Sequence, residues 1–201
     1  MISFPIYLDN HSTTKVDPGV LEAMLPYFTD NYGNASSKSH EFGWKAEASV
    51  DLARKLIARL LKCEPRDIIF TSGATESVNL AIKGAAETHS AKGNHIITTV
   101  IEHEAVLDSC KNLERKGFDV TYVKVNENGI IDPKDISDAF TDKTILVSVM
   151  YVNNEIGTVQ PIKEIAKLCK AKKILFHTDA TQAVGKLPID LSKLGIDMLS
   201  F

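Results

Sequence analysis

Short runs of apolar residues, rich in β-branched side chains, recur at 68–71, 96–100, 120–123, 145–150 and 174–178. Each is too short for a helix and shows no alternation of apolar and polar positions. That pattern predicts parallel strands buried on both faces. Between them the spacing changes to that of helices. Val106, Leu107, Cys110 and Leu113 share one face, as do Ile162, Ile165, Ala166 and Cys169 behind Pro161. Val78, Ala81, Ile82 and Ala85 mark another helix. Before the first run, Val50, Ala53, Leu56, Ile57, Leu60 and Leu61 predict a long one. Strands alternating with helices imply an α/β sheet covered on both faces. In such sheets ligands sit beyond the carboxyl ends of the strands.

Composition narrows the classes. With 201 residues and a 44% apolar fraction, the chain can build the core of an ordinary globular domain. Its formal net charge is −3 with both signs interspersed, which argues against nucleic acid or an anionic membrane as the main partner. No apolar run approaches the roughly 20 residues of a membrane span. The first residues lack a basic stretch followed by an apolar one, so no signal peptide is expected. Cys63, Cys110 and Cys169 are odd in number and widely spaced, as in a cytoplasmic protein with reduced thiols. At the other end, 197–201 reads as a further strand that stops within its apolar run. Domain ends are usually exposed and loosely held, so more chain is expected after it.

Four segments carry candidate chemistry, each beyond an expected strand. Thr71-Ser72-Gly73-Ala74-Thr75-Glu76-Ser77 opens a helix. Gly73 permits close backbone approach, Ser72 or Thr75 can cap, and free amides at a helix start attract an anion such as phosphate. An ordinary capped helix is the plainer reading, and neither a Walker loop nor a GxGxxG fingerprint is present. His177-Thr178-Asp179-Ala180-Thr181-Gln182 puts a carboxylate at the end of a buried strand. Such a group needs a cation or good donors, for example a pyridinium nitrogen, unless Asp179 simply caps a helix. Gln182, about one helical turn on, could reach the same ligand. Glu102-His103-Glu104 offers an imidazole that can stack on a flat ring or shuttle a proton, or merely a surface histidine. Its spacing does not suit a metal. Val152-Asn153-Asn154-Glu155-Ile156-Gly157 reads first as a turn, placed where it could touch a ligand. Together the four fit a phosphorylated aromatic cofactor better than a nucleotide.

The same residues resemble a known family, the NifS/IscS-type cysteine desulfurases among the class V aminotransferases. Tyr7-Leu8-Asp9-Asn10-His11-Ser12-Thr13-Thr14 is similar to the opening motif of that family, with His11-Ser12 a mild departure. Tyr32-Gly33-Asn34-Ala35-Ser36-Ser37, with His40 and Gly43-Trp44, resembles the next block. The segments at 71–84, 102–107, 152–157 and 177–190 follow in order and spacing, so the resemblance covers essentially the whole chain.

The resemblance implies the fold of PLP-dependent transferases of fold type I, a mainly parallel sheet flanked by helices and incomplete at the C-terminus. Residues 1–15 would belong to a small domain and 16–201 to most of the large PLP-binding domain. Ala74 and Thr75 would bind the phosphate of pyridoxal 5'-phosphate (PLP). His103 would stack on the ring and act in proton transfer. Asp179 would pair with the ring nitrogen, and Asn154 and Gln182 would contact the phenolic oxygen or the bound amino acid. The implied activity converts L-cysteine to L-alanine. Sulfur would pass through an enzyme persulfide to an iron–sulfur scaffold or another acceptor. A homodimer is implied for the full-length protein, and the cytoplasm is the default compartment. The cofactor lysine would follow Leu199-Ser200-Phe201, about four residues beyond Phe201 by motif spacing. None of the three cysteines matches the family's nucleophile, so this chain alone is expected not to turn over. A selenocysteine lyase, another class V aminotransferase and a non-catalytic fragment stand as alternatives.

Overall fold

The computed structural model describes residues 5–201, which fall into two compact units, one ending at Ile69 and one beginning at Phe70. The first unit is helical. Asp17 caps α1 (Pro18–Met24) by accepting from the Gly19 and Val20 amides, and Pro18 fixes its first turn. A short α2 (Pro26–Thr29) follows, then the long α3 (Glu41–Leu61) and a 3-10 turn at Pro65–Asp67. His40 starts α3, its Nδ1 accepting from the Gly43 amide at 3.2 Å. A Cβ on Gly43 would lie 1.9 Å from the Ser37 carbonyl oxygen, so only glycine lets the preceding loop pass this close.

The helix predicted over the Val50–Leu61 pattern is present, but its burial differs from expectation. Gly43, Ala46, Ala58 and Leu61 are the buried positions, whereas Val50, Ala53, Leu56 and Leu60 are exposed. Periodicity reports which stripe is apolar and not what covers it. A second expectation fails at 68–71, where no strand forms. A strand is stable only against a neighbour that takes up its backbone groups. No strand among the described residues pairs with this run, and Ile69 is 70% exposed. The Ile68 carbonyl accepts instead from the Arg54 guanidinium.

The second unit holds the sheet. After α4 (Ala74–His89) come β1 (His95–Thr99), α5 (Glu104–Glu114), β2 (Asp119–Val123), α6 (Pro133–Asp138) and β3 (Thr144–Ser148). Then follow α7 (Ile162–Lys172), β4 (Leu175–Asp179), α8 (Leu191–Leu194) and β5 (Met198–Ser200). The five strands are parallel in the order β2-β1-β3-β4-β5. Each agrees with its expected run to within a few residues, the usual scatter of element ends. Helix α6 was not foreseen, although Asp132-Pro133 carries its start signal, the aspartate accepting from the Lys134 amide.

The predicted two-sided cover is present. On one face Val78, Ile82, Ala85 and Ala86 of α4 and Val106, Cys110 and Leu113 of α5 pack on Ile96 and Leu146. On the other, Ile136 of α6 and Ile162, Ile165, Ala166 and Cys169 of α7 pack on Ile97, Val147, Val149 and Phe176. Burying both faces aligns the carboxyl ends of all five strands along one edge. Among the described residues no helix is long and apolar enough to cross a membrane.

Candidate functional site

The site elements are tied together at that edge by hydrogen bonds. Strands β4 and β5 pair Asp179 with Ser200 at their ends. Ser200 Oγ accepts from Ser77 Oγ at 2.9 Å, which holds the first turn of α4 beside those ends. The Tyr151 amide donates to the Asp179 carbonyl at 2.8 Å, joining the exit of β3 to that of β4. Asn153 Nδ2 donates to the Ile101 carbonyl at 3.0 Å, joining the exits of β3 and β1. The segments carrying Ala74, Thr75, His103, Asn154, Asp179 and Gln182 are thereby gathered along one edge.

At the start of α4 neither Ser72 nor Thr75 caps the helix, contrary to expectation. The N-cap is Gly73 at φ +157°, and it makes no side-chain cap. Glu76 Oε2 turns back to accept from the Ser72 amide and hydroxyl, both at 2.6 Å, which holds the loop in shape and the carboxyl below its usual range. The amides of Ala74, Thr75 and Glu76 thus begin a 16-residue helix with the Thr75 hydroxyl beside them. This donor set suits a phosphate.

Asp179 is 6% exposed. One of its oxygens, Oδ1, accepts from the Thr181 amide at 3.0 Å and the Thr181 hydroxyl at 2.7 Å. This leaves Oδ2 for a further donor. The chain beyond is a succession of turns at 181–187, not the helix that a capping role for Asp179 would require. Gln182 lies in those turns and its Oε1 accepts from Lys186.

His103 is exposed and caps α5, its Nδ1 accepting from the Ala105 amide at 3.1 Å. In the neutral ring this bond places the proton on Nε2. The turn expected at 152–157 is present. Asn153 is buried and its Oδ1 accepts from the Glu155 and Ile156 amides. Gly157 adopts φ +73°. Asn154 is half-buried beside it.

Sequence reasoning assigned no role to a second polar layer beneath these residues. Ser148 Oγ lies 2.8 Å from His177 Nδ1, and His177 Nε2 lies 3.0 Å from Ser200 Oγ. With the half-buried Ser77 this makes a chain of four side chains, three of them buried. Burial pushes the His177 imidazole down to about 4. Glu102 is also buried, and burial pushes its carboxyl up to about 8. For His177 the available signal was a polar residue inside an otherwise apolar strand.

An anion cradle, a buried carboxylate with an oxygen to spare and an open imidazole lie together at the sheet's carboxyl edge and form the candidate site. The chain belongs to the aminotransferase class-V family, whose model matches residues 6–201. It is 58% identical over 202 aligned positions to the cysteine desulfurase IscS of Enterobacter sp. (strain 638), covering 100% of this chain and 50% of that protein. The IscS of Rickettsia massiliae (strain Mtu5) is 55% identical, covering 99% and 48%. Among solved structures, SspA in complex with cysteine is similar at a TM-score of 0.92 and 43% identity, covering 96% of this chain and 56% of that one. An apo cysteine desulfurase from Thermococcus onnurineus NA1 matches at 0.88 and 28%, covering 96% and 48%. The chain spans about half the length of the curated relatives it matches. The resemblance read from the motifs is thus the one the comparisons return.

Proposed function

We propose that this chain is the PLP-holding portion of a cysteine desulfurase that converts L-cysteine to L-alanine and passes the sulfur to an acceptor. The observation that carries the reading is the joint placement of the α4 amides and Asp179 Oδ2 along one edge of the sheet. That placement offers donors for a phosphate and an acceptor for a ring nitrogen. PLP, when bound, supplies an electron sink for charge developing at the substrate's α-carbon.

The chain's own residues have separate tasks in this reading. Ala74 and Thr75 hold the phosphate through backbone amides and the threonine hydroxyl. Asp179 keeps a proton on the ring nitrogen. His103 lies against the ring and carries a proton at Nε2. Asn154 and Gln182 orient the phenolic oxygen or the amino acid, which requires Gln182 to leave Lys186. In this reading residues 1–15 are the N-terminal segment of a small domain and 16–201 most of the large PLP-binding domain.

The sulfur-accepting thiol is none of the three cysteines here. Cys110 and Cys169 are core residues whose thiols burial pushes up to about 12, the opposite of an activated nucleophile. Cys63 is also raised, by burial and then by Asp67. The full-length protein is a homodimer in this reading, and an iron–sulfur scaffold is one candidate acceptor.

The test uses the full-length gene product with PLP and L-cysteine. Alanine and transferred sulfur in equal amounts are expected. A keto acid in place of alanine would overturn the reading in favour of another class V aminotransferase. Alanine from selenocysteine alone would overturn it in favour of a selenocysteine lyase.

A further inference from the structure

Glu102 stands three residues beyond the end of β1 and is 6% exposed. Its two oxygens have unequal surroundings. Oε1 accepts from the Thr99 hydroxyl at 2.7 Å and from the Met150 amide at 2.9 Å. Oε2 is buried without a hydrogen-bond partner. The Met150 bond runs parallel in purpose to that from Asn153 to the Ile101 carbonyl. Both cross from the exit of β3 to the exit of β1. The first exit leads to Asn154 and the second to His103, so the two bonds form a bracket between two of the proposed cofactor contacts.

An ionised carboxylate in this bracket would bury charge on an oxygen with no partner, whereas a neutral acid buries only an unpaired hydroxyl, the smaller cost. Burial outweighs the Thr99 and Met150 hydrogen bonds, which favour the ionised form. Asp179 at the end of β4 repels a second negative charge, and no cation among the described residues offsets it. From α5 the nearby titratable group is the Cys110 thiol, which a charged Glu102 would raise further. His103 adjoins it in sequence, with Nδ1 engaged by the Ala105 amide.

We propose that Glu102 is a positioning residue that works as a neutral carboxylic acid, locking the His103 loop to the Asn154 loop and leaving Asp179 the anion of the site. The role in the site rests on the PLP reading above, whereas the neutral bracket is a property of the chain itself. Ionisation at high pH would add a second buried charge beside Asp179. The direction follows from linkage. The folded chain keeps a proton that the unfolded chain loses above the ordinary 4.5, so stability falls as pH rises from there toward about 8 and then levels off.

The experiment compares wild type, Glu102→Gln and Glu102→Ala. Infrared spectra are expected to show the carbonyl band of an unionised acid at pH 7 in wild type, absent from Glu102→Gln and bleaching as pH rises through about 8. Wild-type stability should decline with pH relative to Glu102→Gln. PLP affinity at pH 7, read by absorbance titration, should fall about tenfold in Glu102→Ala and be restored in large part by Glu102→Gln, which keeps an acceptor for Met150. Absence of a Glu102-dependent acid band overturns the neutral form. Equal PLP affinities for the glutamine and alanine variants overturn the positioning role. Should Glu102→Ala not fold, the band and the stability curves of Glu102→Gln decide. If no variant nor wild type binds PLP at any pH, the PLP reading fails while the band still tests the bracket.

Discussion

His177 sits wholly inside the sheet layer, between Ser148 and Ser200. Burial holds its imidazole at about 4, against an ordinary 6.5, with Asp179 opposing only in part. The folded protein therefore refuses a proton that the unfolded chain accepts as pH falls below 6.5. Stability contributed by the neutral ring is full above that value and is lost as pH falls through about 4. At about 1.4 kcal/mol for each tenfold change in proton affinity, the difference amounts to about 3 kcal/mol. That is a large part of the stability of an ordinary domain. Protonation would also disturb the hydrogen bonds. Two ring donors would face two serine oxygens, one of which already accepts from Ser77. The assay is urea unfolding between pH 7 and pH 4 for wild type, His177→Asn and His177→Gln. Circular dichroism is the probe, because the single tryptophan, Trp44, lies in the other unit. Wild type should lose about 3 kcal/mol more than either variant across this range. Parallel curves would refute the reasoning, whatever the offset between them.

Two further outcomes test other levels of the structure. A Cβ on Gly93 would stand 2.2 Å from the Lys143 carbonyl oxygen, backbone that cannot swing aside. Gly93→Ala should therefore cost about 1–3 kcal/mol in an unfolding titration, and a neutral result would contradict the close approach. Thr75→Val keeps the α4 amides but removes a hydroxyl proposed to meet the phosphate. It should weaken PLP binding about tenfold by absorbance titration, with little change in melting temperature of the apo protein.

Much of this arrangement was legible in the chain because burial on two faces leaves an unambiguous imprint. The runs at 96–100, 120–123, 145–150, 174–178 and 197–201 all lie on strands, and the Ile162–Cys169 stripe lies on the face that packs. Where pattern failed, the missing quantity was a partner. Among the described residues the apolar run at 68–71 has no neighbouring strand, and Val50, Leu56 and Leu60 of α3 are exposed. Composition cannot report either.

The motif segments were also visible, but their inner division of labour was not. In Asn153-Asn154 one asparagine is consumed by the turn and by Ile101, and sequence does not say which. At 71–77 the helix start is organised by Glu76 reaching back to Ser72, a contact that a search for N-caps overlooks. Glu102 reads as one more polar residue in the loop after β1, and His177 as a polar interruption of a strand. Their meaning depends on Met150 and Ser200, which lie 48 and 23 residues away.

The most direct measurement is a crystal structure of the full-length protein with PLP. The phosphate is expected on the amides of Ala74 and Thr75, the ring against His103, and the ring nitrogen within hydrogen-bonding distance of Asp179 Oδ2. A ring bound at this edge with its nitrogen turned from Asp179, or PLP seated away from the start of α4, would contradict the proposed site.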